Sequence, residues 1–101
     1  MTADEVRALT LAMVDVVERD HHGFPSFRAG QKQRIFATLP TTDVLRVMLD
    51  EGDIREAVGA NTWCREGWWG RSLSTVEVVL ADADAGTVAE LLADGHARAQ
   101  R

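Results

Sequence analysis

Apolar residues recur along this chain with two periods, and each change of period marks a new element. Thr2-Ala3-Asp4-Glu5 has capping-box spacing, in which the threonine hydroxyl accepts from the Glu5 amide and the glutamate reaches back to the Thr2 amide. A helix is expected to start there. Val6, Leu9, Met13, Val16 and Val17 follow at helical spacing, and Asp4, Glu5, Arg7, Asp15 and Glu18 fall outside that stripe. The helix is expected to end near Arg19, ahead of Gly23 and Pro25.

From Phe24 the period shortens. Ser26-Phe27-Arg28 and Arg34-Ile35-Phe36-Ala37-Thr38-Leu39 read as two strands around a turn that holds Ala29-Gly30-Gln31-Lys32, and Pro40 stops the second strand. Residues 43–49 fit a buried strand or a helical turn equally well. Residues 50–59 read as a short helix with its acids early, where the helix dipole favours them, and with Gly59 placed to end it. Residues 60–71 are expected to form a loop, and they contain all three tryptophans. Residues 75–80 alternate β-branched side chains as a strand does. Asp84 is placed to cap a last helix that turns Val88, Leu91 and Leu92 inward.

Length and composition narrow the classes. A chain of 101 residues makes one domain, residues 1–101, with one modest core. Its 46% apolar and 27% charged residues are those of an ordinary globular protein. No apolar run approaches the ~20 residues of a membrane span, and Met1-Thr2-Ala3-Asp4-Glu5 is acidic where a signal peptide is basic. The single cysteine, Cys64, rules out an internal disulfide and any multi-cysteine metal site, and suits a reducing compartment. A cytoplasmic protein without a membrane partner is expected.

The net charge of −5 opposes binding of a polyanion by the whole surface, yet it is unevenly distributed. Residues 21–42 carry Arg28, Lys32 and Arg34 and no acid, whereas the segments on either side are acidic. The same segment holds His22-Gly23-Phe24-Pro25-Ser26-Phe27-Arg28 and Ile35-Phe36-Ala37-Thr38-Leu39, which resemble the signature hairpin of the YjbR/MmcQ family of small bacterial proteins. Trp69-Gly70-Arg71-Ser72-Leu73-Ser74-Thr75-Val76-Glu77-Val78 resembles that family's approach to its last strand, and Ala89-Glu90-Leu91-Leu92 its closing helix. The chain departs from the pattern at Ser74-Thr75, where members often show Trp-Val, and at Gly95-His96-Ala97-Arg98, where many carry Ala-Trp-Arg.

The resemblance implies a strand at residues 43–49 and hence the order α-β-β-β-α-β-α. It also implies an α+β domain of frataxin-like kind, an antiparallel sheet with helices on one face and the other face open, and it carries a DNA-binding label.

Two functional readings of a non-enzymatic binding module follow, and an enzyme of a biosynthetic or resistance pathway is a third alternative. In the first, Arg28, Lys32 and Arg34 contact the phosphates of DNA as a basic β-hairpin, with Phe24, Phe27 and Phe36 as stacking platforms or core residues. Three such contacts give a salt slope of only about −2.7. In the second, Trp63, Trp68 and Trp69, with Arg65 and Arg71 beside them, hold a small aromatic or anionic ligand or a protein partner, in a biosynthetic or resistance pathway. No cofactor is expected. His21-His22 is not a metal motif, because adjacent residues in extended chain point apart, and no phosphate loop or catalytic elbow is present. No residue pattern sets an oligomeric state.

Overall fold

The computed structural model describes all 101 residues, Met1–Arg101. Helix α1 (Ala3–Leu11) leads into strands β1 (Val17–His21), β2 (Phe24–Ala29), β3 (Arg34–Thr38) and β4 (Val44–Met48). Helix α2 (Glu51–Ala60), strands β5 (Cys64–Trp69) and β6 (Ser72–Val79), a 3-10 turn (Leu80–Asp82) and helix α3 (Ala85–Ala99) complete the chain. The fold is α+β, as expected. Its six strands form one sheet in the order β1-β2-β3-β4-β6-β5, and every neighbouring pair is antiparallel.

Local signals account for the helix starts. Thr2 makes the capping box, Oγ1 accepting from the Glu5 amide at 3.2 Å while Glu5 accepts from the Thr2 amide at 3.2 Å. Asp84 caps α3 by accepting from the Thr87 amide at 2.9 Å, which holds its carboxyl below the usual range. On α3, Val88, Leu91, Leu92, Gly95 and Ala99 are buried, one stripe at helical spacing.

The sheet has two strands more than the order α-β-β-β-α-β-α. The first helix stops at Leu11 rather than near Arg19, the chain turns through Asp15 at φ 57°, and Val17–His21 pairs with β2. His22 at φ 54° and Gly23 at φ 92° form the two-residue, left-handed turn that matches the twist of a hairpin. Half of residues 60–71 are likewise strand, because Cys64–Trp69 pairs with β6 around Gly70 at φ 59°. Both additions are edge strands, with a sheet neighbour on one side only.

Registered partners share a face of the sheet, so the pairing separates two surfaces. Phe27, Ala37, Val47, Val76 and Val78 lie on one face, all at 0% exposure, together with Leu45. Helix α3 packs there against β2, β3 and β4, and α2 against β5 and β6. At Gly95 an added Cβ would lie 2.8 Å from Val47 Cγ1 and 3.3 Å from the Met48 carbonyl, so only glycine lets α3 come this close. Opposite the Phe27/Arg28 step β3 carries an extra residue, Phe36, and that bulge leaves both Phe36 and Ala37 buried. Phe36 meets His96 of α3 edge-on, ring centres 5.5 Å apart. No helix covers the second face, which is where the candidate site lies. No helix of the chain is long and apolar enough to cross a membrane.

Candidate functional site

A single row of registered residues crosses the open face on all six strands: Arg19, Ser26, Thr38, Arg46, Glu77 and Arg65. Five gaps of about 4.8 Å make it roughly 24 Å long. Arg28 lies on the same face, two residues beyond Ser26. The strand positions of this face thus carry four arginines and one acid, in a protein whose net charge is −5. The small side chains of Ser26 and Thr38 are buried in the floor among longer neighbours. Ser26 Oγ donates to the Arg19 carbonyl at 2.9 Å and accepts from Arg28 Nε at 3.4 Å.

Right-handed twist makes a sheet saddle-shaped, so an uncovered face is concave along one diagonal. Here that hollow is a groove of about 700 Å³. One end is the β1–β2 turn, with His21, His22 and Phe24, and the other is the end of β5, with Trp68 and Trp69. Arg46, Met48 and Glu77 lie between them. The volume is in the range of small-ligand sites. Depth at the tryptophan end depends on Gly67, opposite Thr75, where an added Cβ would overlap the Thr75 hydroxyl.

Arg46 is the polar centre of the groove. Its Nε is shut off from solvent and has no hydrogen-bond partner, although Glu77 Oε1 lies 3.4 Å away, because the N–H does not aim at that oxygen. A charged N–H of this kind costs at least ~1–3 kcal/mol when it is left unpaired. Glu77 reaches toward Arg65 on its other side at 4.0 Å, so its carboxylate stands between two guanidinium groups and hydrogen-bonds to neither. Charge-assisted bonds are normally 2.7–2.9 Å long.

The structure separates the expected site residues. Trp69 is 83% and Trp68 52% exposed, and both border the groove; the Trp68 indole N–H donates to Glu66 at 3.3 Å. Trp63 stands at the other end of β5 and packs against the core, its carbonyl accepting from the Val79 amide. Arg65 joins the open-face row, and Arg71 is exposed in the β5–β6 turn. The basic hairpin charges diverge. Arg28 is on the open face, Arg34 pairs with Ala29 on the helix-covered face, and Lys32 is exposed in the turn between them. Phe27 and Phe36 are core residues, whereas Phe24 lines the groove and meets His21 edge-on at 5.5 Å.

Reading the sequence alone missed Arg19, Arg46 and Glu77. They lie in three different segments and become neighbours only through strand pairing, although Arg46 within Val44-Leu45-Arg46-Val47-Met48 is a charge in an otherwise apolar strand and thus a signal in itself. No group of three or more histidine, cysteine, aspartate or glutamate side chains is arranged to hold a metal ion. Cys64 is buried, and burial pushes its thiol up from the usual range, which makes it a poor nucleophile. No family model matches the chain, and neither does any curated protein or solved structure.

Proposed function

We propose that this protein is a non-enzymatic binding module that holds a small aromatic ligand in the groove of its open sheet face. The observation that carries the reading is the exposure of Trp69 at one end of a 700 Å³ hollow whose other end is Phe24 and His21. An indole left in water forgoes the burial that stabilises core aromatics, and a flat ring laid against Trp69 in the groove recovers part of it. Within the same proposal the chain is a YjbR/MmcQ-like protein of the cytoplasm. The Phe24-Pro25-Ser26-Phe27-Arg28 and Ile35-Phe36-Ala37-Thr38-Leu39 segments support the first point, and the lone buried cysteine supports the second.

A second reading draws on the arginine row. Arg19, Arg28, Arg46 and Arg65 on one face favour a single-stranded nucleic acid laid across the sheet, with bases stacked on Phe24 and Trp69. This replaces the hairpin tip with the sheet face as the nucleic-acid surface, since the tip's charges do not share a side. Offset by Glu77, the four arginines amount to about three phosphate contacts, for a single-strand salt slope near −2.1.

Tryptophan emission, followed in one set of titrations, separates the readings. A neutral aromatic probe such as 2-naphthamide is expected to quench the native protein saturably and to lose that effect in Trp69→Ala, with no dependence on salt. Tight, salt-sensitive binding of an oligothymidylate, lost in Arg19→Ala/Arg46→Ala/Arg65→Ala, together with no response to the small probe, would favour the second reading instead.

A further inference from the structure

We infer that the ligand of this groove carries a single negative charge, which docks on Arg46, and that Glu77 is the built-in counter-ion it displaces. The inference rests on the aromatic-ligand reading above and adds the charge to the ring. Its basis is the geometry of three residues on adjacent strands, Arg46 of β4, Glu77 of β6 and Arg65 of β5, in direct register with one another.

Arg46 stands on a central strand, yet its guanidinium makes no side-chain hydrogen bond, and its Nε is both desolvated and unpaired. The side chain as a whole is 43% exposed, so the outer end of the guanidinium faces the groove while its inner edge does not face water. The outer Nη groups are therefore the ones that an anion in the groove can reach. A carboxylate or similar anion approaching in the guanidinium plane accepts two parallel N–H bonds, which a point contact at 3.4 Å does not supply.

Glu77 is held loosely for an ion-paired carboxylate. It is 3.4 Å from Arg46 and 4.0 Å from Arg65, both too long for a charge-assisted bond. When an incoming anion takes Arg46, Glu77 keeps Arg65 as partner, so no charge is stranded. Two arginines and one glutamate leave the trio with one positive charge, and one negative charge on the ligand neutralises it. A neutral ring finds the same aromatic surface but brings no charge to Arg46. The ligand class is therefore an aromatic monoanion, an aryl carboxylate being the simplest case.

The test uses two probes with the same ring, 2-naphthoate and the neutral 2-naphthamide, titrated by calorimetry into the native protein, Arg46→Gln and Glu77→Gln. The native protein is expected to bind naphthoate at least tenfold more tightly than naphthamide. Arg46→Gln should bring the two affinities together, and Glu77→Gln should tighten naphthoate several-fold without changing naphthamide. Equal affinity of the native protein for both probes would overturn the charge inference and leave the aromatic reading standing. Binding of neither probe at millimolar concentration would overturn both. The native protein's preference between probes does not depend on any variant folding, so an unfolded variant does not spare the inference.

Discussion

Thr75 and Gly67 face each other across β5 and β6 with no room for a methyl group between them. The requirement for glycine at 67 comes from the partner strand and not from local backbone, so nothing in the surrounding sequence announces it. Gly67→Ala is expected to destabilise the protein by about 1–3 kcal/mol through overpacking, and Gly67→Ala/Thr75→Ala to recover most of the loss. Urea denaturation midpoints of the two single variants and the double variant check this. Additive losses would mean that the overlap with the hydroxyl is not the cause. Residues whose roles are local were easier to read. Thr2 and Asp84 announce their caps within four residues of sequence, whereas Arg46 and Glu77 acquire their relation only when residues 31 apart in the chain become neighbours in the sheet.

Among the elements, those with a strong apolar pattern were legible and the edge strands were not. The β2–β3 hairpin, α2, β6 and α3 each bury a face and were read from the sequence, whereas the short apolar run of β4 fitted strand and helix alike and only strand pairing decides it. β1 reads Val17-Glu18-Arg19-Asp20-His21 and has no fully buried residue, so its strand character resides in its pairing and in the His22-Gly23 turn. β5 buries only Cys64 and Gly67, and its tryptophans drew attention to the segment without revealing its strand. The helices are joined at one point by Asp50, which precedes α2 and accepts from Arg98 Nε at 2.9 Å and from Arg101 Nη2 at 2.8 Å, both from the end of the chain. Those bonds, Arg98 first, hold its carboxyl below the usual aspartate range. A carboxyl lowered in the folded state stabilises above its unfolded pKa of about 3.9, and that contribution fades as the pH falls through the lower folded value. Asp50→Asn should therefore reduce stability at pH 7 and make the protein's acid unfolding less steep below about pH 4. The effect should be small, because all three side chains are largely in water. Thermal melts of both proteins between pH 7 and pH 2.5 measure it; an unchanged difference across that range would show that the carboxylate charge is not what joins the helices.

For the whole molecule, the telling contrast is between total charge and the charge of one face. The chain is acidic at −5, and the surface that no helix covers carries four arginines against one glutamate. Segment charge in the sequence pointed to residues 21–42 as the basic region, but pairing distributes basic residues from β1, β2, β4 and β5 over one face and sends Arg34 to the other. The same pairing places Phe24 and Trp69, 45 positions apart in the chain, at opposite ends of one groove. Long-range antiparallel register created this site, which is why a linear reading found its parts and not their assembly. Ligand binding in the groove is read from amide and indole chemical shifts. In a ¹⁵N-labelled sample titrated with 2-naphthoate, shifts are expected at the Trp68 and Trp69 indoles and at the amides of Thr38, Arg46, Gly67 and Thr75, with the Trp63 indole and the amides of Lys32 and Arg34 unmoved. Shifts confined to the hairpin tip or to Trp63, with the open face silent, would contradict it.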